Sequence, residues 1–222
     1  MSKSTSVRTV TFGLLKASHF GPTVLVVSIS FILATTQFSI LESLEVALAI
    51  LAGQFVVGWS NDLIDYPLDK GAARLKKPLV SGDLSQSLLK RCIALAVFFA
   101  FILSLVGPLG IKGTGIHFLG LLSATLYNLR LKRTVLSPVP YIFSFGAMPW
   151  AVYEAVGKQP PMWIFLGFAF FATAFHFLNV LKDLDFDIAQ GVLGLPQRIG
   201  RRASIAVAIV LCAVGFLDLL HA

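Results

Sequence analysis

The sequence predicts an all-α fold, a polytopic membrane bundle of about seven transmembrane helices that forms one domain over residues 1–222. Composition is the first observation behind this prediction. Hydrophobic residues make up 56% of the 222 residues and charged residues only 13%, and the mean hydropathy is +0.83. Soluble domains carry about twice that share of charged residues. The composition therefore excludes a soluble protein and indicates an integral membrane protein.

The second observation is a series of apolar segments, most of them long enough to cross a bilayer as a helix. The first of them follows Lys3, Arg8 and Lys16 and has no convincing small-residue cleavage site. It is therefore predicted to be a retained helix and not a signal peptide. The fourth segment is the shortest. The predicted spans are residues 20–36, 43–60, 92–109, 115–129, 135–153, 161–180 and 203–221.

Basic residues predict the orientation, because the cytoplasmic loops of membrane proteins are enriched in Lys and Arg. With the N-terminus inside, sixteen of the 18 basic residues fall on the cytoplasmic side, and only Lys112 and Lys158 fall outside. We therefore expect a multi-pass protein whose N-terminus and polar loops are cytoplasmic. This topology accounts for most of the net charge of +7, and no segment is long enough to be a soluble domain that binds nucleic acid.

Two acidic segments lie at the predicted cytoplasmic ends of apolar segments. The first acidic segment comprises residues 61–69, and the second comprises residues 183–187. A carboxylate at membrane depth costs about 2.5–3.5 kcal/mol, so a chain that keeps two such groups is expected to use them. Since both segments follow predicted spans on the same side, the sequence predicts that they converge.

Within each acidic segment, Asp or Asn recurs every four residues and would lie along one face of a continuous helix. Pro67 limits how regular the first helix can be beyond about Ile64, which leaves a loop position open for Asp69. Carboxylates four residues apart repel one another unless a positive group lies between them. Oxygen ligands suit a hard ion such as Mg²⁺, which often shares its shell with substrate phosphates. The candidate metal ligands are Asn61, Asp62, Asp65, Asp69, Asp183 and Asp187.

Plainer interpretations exist for several of these residues. Polar residues at the ends of membrane helices are common as solvated caps, and the basic pairs at residues 76–77 and 201–202 also suit topology determinants. The histidines and the two cysteines lack the spacing of a zinc site. His176 shares a helical face with Asn179 and Asp183, but such histidines are more often core residues. The six candidate ligands taken together favour a metal site over a set of caps.

The two acidic segments resemble the signatures of the UbiA superfamily of intramembrane prenyltransferases. The first signature is Asn61-Asp62-x-x-Asp65-x-x-x-Asp69, followed downstream by Lys77-Pro78-Leu79-Val80-Ser81-Gly82. The second is Asn179, Asp183 and Asp187, followed by Gly191, Leu195-Pro196 and Arg198-x-Gly200. Tyr127 and Lys132-Arg133 lie between the signatures, as in the family. The resemblance covers about residues 16–205 and implies a UbiA-like fold.

The chain also departs from the family. Where members usually have Gly, Arg and Thr in the second signature, this chain has Phe186, Ile188 and Gly194, which alters a basic contact and the backbone freedom of that loop. Members resemble one another in having about nine helices, and this chain ends soon after its seventh. The last two helices are therefore expected to be absent. Such a bundle is expected either to associate, as a homo-oligomer or with another membrane protein, or to open sideways to a bulky lipid acceptor.

The resemblance implies an enzyme, a UbiA-type prenyltransferase that moves a polyprenyl group from a prenyl diphosphate to an aromatic or lipid acceptor. Mg²⁺ on the acidic residues would hold the diphosphate as the allylic C–O bond breaks, and an apolar cavity would exclude water from the allylic cation. The implied catalytic residues are Asp62, Asp65, Asp183, Asp187 and Tyr127, the last through its aromatic face. The implied substrate-binding residues are Asn61, Arg74, Lys77, Asn179, Lys132, Arg133 and Lys182.

The sequence separates neither the acceptors nor the donor lengths that such a protein could use. An alternative from another class is a non-catalytic isoprenoid- or lipid-binding membrane protein descended from the same fold. The intact first signature favours the enzyme, whereas the altered second loop and the short C-terminus favour the non-catalytic descendant. A transporter is disfavoured, because the ionisable residues cluster at one membrane face instead of near the midplane.

Overall fold

The structure is a computed structural model and describes residues 6–220. Lys3, which contributes to the predicted orientation, and His221 lie outside these residues. The described residues are mainly helical and contain no strand, so the predicted all-α fold is confirmed. Their α-helices are α1 Val7–Ala17, α2 Phe20–Ala34, α3 Ile40–Gly71, α4 Pro78–Ser81, α5 Gln86–Val106, α6 Gly110–Leu129, α7 Val139–Ala155, α8 Met162–Val180, α9 Leu184–Ala189 and α10 Leu195–Leu220.

The chain divides after Pro108 into two compact units, which are described separately. In the first unit, α2 packs against α3, and α3 packs against α5. The helices α1 and α2 form a bent pair with an angle of 65° between them. That residues 1–222 act as a single domain stays a prediction.

Helix α3 is the longest element and carries the first acidic segment. Its start is fixed by a capping box, in which the Ser39 side chain accepts from the Glu42 N–H and the Glu42 carboxylate accepts from the Ser39 N–H. At 1.5 Å per residue its 32 residues span about 48 Å, whereas the hydrocarbon core of a bilayer is about 30 Å thick. The helix is therefore longer than the apolar layer is thick, and its last third carries the acidic segment.

A buried apolar cluster holds α4 against the other helices of the first unit. Leu79 of α4 and Leu84 pack with Ala17 of α1, Trp59 of α3 and Leu89 of α5. Apolar contacts of Leu79 and Leu84 therefore anchor α4, whose N-cap is Lys77, within the first unit. The chain therefore packs against α3 again a few residues after that helix ends.

In the second unit, α6 packs against α7, α7 against α8, and α8 against α10. A 3₁₀ helix, Leu131–Arg133, follows α6, and the short α9 follows α8. The backbone of α10 is broken at Gly200, which has φ 81° and ψ 172°. The apolar part of α10 begins after this break.

Each of the seven predicted spans coincides with one helix, namely α2, α3, α5, α6, α7, α8 and α10. Among the described residues, α3, α5, α8 and α10 are long and apolar enough to cross a membrane, and the bent pair α1–α2 raises the count from four to five. The prediction of a multi-pass membrane protein is confirmed. The number of seven spans stays a prediction, because α6 and α7 do not meet the same criterion.

Candidate functional site

The first acidic segment is continuous with α3, so the loop position left open for Asp69 is not used. The helix passes through Pro67 and ends at Gly71. Proline fixes φ near a helical value, although it removes one N–H donor and its ring crowds the carbonyl of residue i−4. Beyond the proline, the N–H of Ala72 donates to Leu68 and the N–H of Arg74 donates to Asp69, both at 2.9 Å. These bonds hold the last turn in helical form.

The carboxylates of this segment differ in their exposure. Asp62 and Asp69 are only 2% and 3% exposed, whereas Asn61 and Asp65 are half-buried. Asp62 and Asp69 are seven residues apart and thus lie on one face, two turns from each other. Two buried carboxylates on one face require compensation by positive charge.

Lys77 supplies this compensation at Asp62. A compact turn after α3 reverses the chain, with Ala73 at φ 50° and the Lys77 N–H donating to the Arg74 carbonyl at 2.9 Å. The turn places Lys77 Nζ 2.6 Å from Oδ1 of Asp62. The basic residue that begins the downstream element of the first signature therefore pairs directly with an acidic residue of that signature.

Arg74 supplies the positive charge beside Asp69. Its Nη1 donates to Oδ1 of Asp69 at 3.3 Å, and its side chain is 33% exposed. Both basic residues that the resemblance assigned to substrate binding on this side thus lie beside carboxylates assigned to metal binding. The first acidic segment is a charge-compensated group of oxygen donors.

His19 is a member of this group that the sequence did not identify. Its Nε2 lies 3.4 Å from Oδ1 of Asp62 and 3.4 Å from Nδ2 of Asn61. The residue is separated from Asn61 by 42 positions and lies at the junction of α1 and α2. No spacing in the sequence could have indicated this contact.

The second acidic segment is not a continuation of α8. The stacking of its residues along one helix was expected only if that helix continued through the segment. Helix α8 ends at Val180, and Asp183 is the N-cap of the separate helix α9. The Asp187 N–H nevertheless donates to the Asp183 carbonyl at 2.8 Å, so the two residues are still one turn apart. The Asp183 side chain makes no capping hydrogen bond, and the Asp183 N–H donates instead to the Val180 carbonyl at the end of α8, at 3.1 Å.

Gln197 is a second residue that the sequence did not identify. Its Nε2 donates to Oδ2 of Asp187 at 2.9 Å, and the residue is 7% exposed. Gln197 lies between Pro196 and Arg198 of the second signature, at a position to which the resemblance assigns no role. Its amide fixes the orientation of the Asp187 carboxylate.

The loop between α9 and α10 is held closely against the segment that follows the 3₁₀ helix. A Cβ atom on Gly194 would lie 2.6 Å from the Lys132 carbonyl oxygen and 3.0 Å from Oγ of Ser137. The Leu195 N–H donates to the same Oγ at 3.0 Å. Only glycine leaves room for this approach, so the departure from the family's usual Thr has a structural reason in this chain.

Tyr127 lies in a group of aromatic rings in the second unit. Its ring centroid is 5.2 Å from that of Tyr141 and 5.6 Å from that of His176. His176 is 1% exposed, and its Nε2 lies 3.2 Å from Oγ of Ser137. Tyr127, Tyr141 and His176 form the aromatic cluster of this unit, and Ser137 links it to the loop before α10.

The remaining candidates of the second unit differ in their surroundings. Lys132 is buried at 9% exposure, whereas Arg133 is exposed. Lys182 Nζ donates to Oδ1 of Asn179 at 2.9 Å, so these two predicted substrate-binding residues contact each other. The Asp185 side chain is 88% exposed. Among the ion pairs of the described residues it takes part only in one with Arg201, at 3.4 Å.

The donor set fits a hard divalent ion in its chemistry, because each acidic segment offers carboxylate oxygens and the first also offers the Asn61 amide. Within residues 6–220, however, no three His, Cys, Asp or Glu side chains are grouped closely enough to hold a metal ion by themselves. In the first unit, Lys77 and Arg74 balance the buried carboxylates instead. The convergence of the two acidic segments stays a prediction.

The fold and these polar groups define a multi-pass membrane protein with carboxylate groups beside basic side chains. The model of the UbiA prenyltransferase family matches residues 21–221, and the chain therefore belongs to this family. The predicted resemblance is confirmed. No curated protein sequence matches the chain.

Solved structures share the fold at low sequence identity. A UbiA homologue from Archaeoglobus fulgidus bound to GPP and Mg²⁺ has a TM-score of 0.80 and 15% identity, covering 94% of this chain and 77% of that one. The apo structure of a UbiA homologue from Aeropyrum pernix K1 has a TM-score of 0.72 and 17% identity, covering 95% and 76%. A digeranylgeranylglyceryl phosphate synthase has a TM-score of 0.68 and 20% identity, covering 94% and 76%.

Proposed function

We propose that this chain is an intramembrane prenyltransferase that moves a polyprenyl group from a prenyl diphosphate to an aromatic or lipid acceptor, with Mg²⁺ as cofactor. The observation that carries the proposal is the first acidic segment, in which buried carboxylates and basic side chains meet at the end of a membrane helix. Family membership supports the reaction class. Structures of a UbiA homologue from Archaeoglobus fulgidus, which share this fold, contain GPP with Mg²⁺ or DMAPP with Mg²⁺.

The residues proposed to hold the metal ion are Asn61, Asp62, Asp65, Asp69, Asp183 and Asp187. When bound, Mg²⁺ would supply charge stabilisation to the departing diphosphate. Gln197 restrains one of these carboxylates and Lys77 restrains another. Loss of a group that holds a ligating carboxylate in place typically lowers metal affinity by about 10- to 100-fold.

Basic side chains are proposed to bind the diphosphate. Lys77 and Arg74 already lie beside carboxylates at 2.6 Å and 3.3 Å, and each carries more donors than these contacts use. An Arg can grip a phosphate with two parallel bonds, whereas a Lys acts as a point charge. Lys132, Arg133, Lys182 and Asn179 are proposed to act from the second unit.

Tyr127 is proposed to face the allylic cation. The edge-to-face contact with Tyr141, at 5.2 Å and an interplanar angle of 89°, fixes the plane of its ring. An aromatic face of fixed orientation stabilises a cation without reorganisation. Apolar side chains along the membrane helices would keep water from this cation.

The experiment that tests the proposal is incubation of purified protein with labelled geranyl diphosphate, Mg²⁺ and a panel of aromatic and lipid acceptors. We expect a labelled prenyl product that disappears with EDTA and returns with added Mg²⁺. Turnover that survives chelation would contradict the metal-dependent reaction. Binding of geranyl diphosphate without transfer to any acceptor would favour the non-catalytic isoprenoid- or lipid-binding protein.

The proposed orientation places the N-terminus and both acidic segments in the cytoplasm. In a variant without Cys92 and Cys212, single cysteines at the exposed positions Lys76 and Gln190 should react with an impermeant reagent from the cytoplasmic side. A cysteine at the exposed Gln159 should react from the opposite side. Labelling of positions 76 and 190 from different sides would make a shared site impossible. Homo-oligomerisation stays a prediction.

A further inference from the structure

The junction between α1 and α2 has an unusual backbone. His19 lies between the two helices with φ 54° and ψ 57°, in the left-handed region. Residues other than glycine seldom adopt this conformation, and it requires support from the surrounding structure. His19 precedes α2 as its N-cap but makes no capping hydrogen bond with its side chain. Helix capping therefore does not explain why a histidine is found here.

The surrounding structure holds this junction firmly. The indole Nε1 of Trp59 donates to the Leu14 carbonyl at 2.9 Å, and the hydroxyl of Thr23 donates to the Ser18 carbonyl at 2.7 Å. A Cβ atom on Gly58 would lie only 2.7 Å from the Ser18 carbonyl oxygen. The backbone of the junction thus packs directly against α3 at Gly58, where α3 has no side chain.

The consequence of this close approach is the position of the His19 ring. Gly58 and Trp59 hold the junction one turn before Asn61 and Asp62 on the same helix. The ring reaches both of those residues, with Nε2 3.4 Å from Oδ1 of Asp62 and 3.4 Å from Nδ2 of Asn61. Oδ1 of Asp62 is also the atom that accepts from Lys77.

We propose that His19 is a positioning residue for the metal-binding carboxylate of Asp62, and that the bent junction of α1 and α2 brings it there. This inference rests on the proposed function. Lys77 and His19 both restrain the same carboxylate oxygen, Lys77 at 2.6 Å and His19 at 3.4 Å. Lys77 comes from the turn after α3, whereas His19 comes from an element 43 positions before Asp62 in the chain.

The test compares His19→Gly with His19→Gln. Glycine adopts positive φ without strain, so His19→Gly keeps the bend and removes only the imidazole. Glutamine keeps a polar nitrogen at similar reach and the same backbone demand as histidine. The measured quantity is the Mg²⁺ concentration that half-saturates the binding of geranyl diphosphate, followed by titration calorimetry on the purified protein, together with the melting temperature without Mg²⁺.

We expect His19→Gly to raise the half-saturating Mg²⁺ concentration about tenfold, the lower end of the effect of removing a group that orients a metal ligand. His19→Gln should recover most of this affinity, and the melting temperature of His19→Gly should equal or exceed that of the wild type. A purely structural role predicts the opposite pattern, in which the melting temperature falls and the metal dependence does not change.

Two results would overturn the inference in distinguishable ways. If the wild type shows Mg²⁺-dependent binding and His19→Gly binds with the same Mg²⁺ dependence, then His19 does not position Asp62 and the proposed function stands. If the wild type binds no geranyl diphosphate at any Mg²⁺ concentration, both the proposed function and the role of His19 are wrong.

Discussion

Replacement of Asp65 or Asp187 by Asn is expected to reduce prenyl transfer by about a hundredfold or more, with normal insertion and accumulation. Each change removes one charge and keeps the shape of the side chain. Loss of a ligand to the metal removes several kcal/mol of transition-state stabilisation, and about 2.7 kcal/mol already corresponds to a hundredfold. The rates are measured as kcat/KM with labelled geranyl diphosphate at saturating Mg²⁺.

A matched control is available two residues from Asp187. Asp185→Asn makes the same chemical change in the same short helix, at a side chain that is 88% exposed, and is expected to leave the rate within about twofold of the wild type, as for a surface change. A near-normal rate for Asp65→Asn would contradict the proposed metal site in the first unit. An equal loss for Asp185→Asn and Asp187→Asn would show that the charge of the segment matters and not the particular ligand.

Lys77→Met is expected to lower the free energy of unfolding by about 2 kcal/mol. The substitution leaves the Asp62 carboxylate, which is 2% exposed, without its cation at 2.6 Å. Removal of one partner from a buried ion pair costs about 3–5 kcal/mol, and the lower figure reflects the partial exposure of the lysine side chain. Thermal unfolding in detergent measures the effect, with the exposed Lys76→Met as the control that keeps wild-type stability.

The double variant Asp62→Asn/Lys77→Met separates stability from activity. Without the buried charge the missing cation is no longer needed, so most of the lost stability should return. Prenyl transfer should nevertheless be lost, because the double variant lacks both a proposed metal ligand and a proposed diphosphate contact. A double variant that is as unstable as Lys77→Met would mean that Lys77 stabilises the fold through its packing and not through Asp62.

The helical parts of this fold were predictable from the sequence, because an apolar segment of spanning length has no other stable conformation in a membrane. The ends of the helices were less predictable. Pro67 suggested an irregular end to α3, but Arg74 and Asp69 stabilise the final turn through both backbone and side-chain bonds. At the second acidic segment, the regular spacing of Asp183 and Asp187 did not reveal that a new helix begins between α8 and α10.

The candidate site was predictable only where its residues are close together in the sequence. The spacing of Asp62 and Asp65 is visible at once, and the downstream Lys77 follows within a few turns. His19 and Gln197 reach carboxylates through a bend and a loop, and a bend is set by tertiary contacts such as that of Trp59 with Leu14. Periodicity carries no information about such contacts, which is why these two residues were missed.

The close contact at Gly194 also constrains how this sequence can diverge. Position 194 lies against the Lys132 carbonyl oxygen and Ser137 Oγ, and Ser137 in turn contacts Leu195 and His176. A descendant that gains a side chain at position 194 must therefore shift the Lys132 backbone as well as the side chains of Gln197 and Ser137. A substitution of Gly194 alone should therefore displace Gln197 and disturb the hydrogen bond that this residue donates to Asp187.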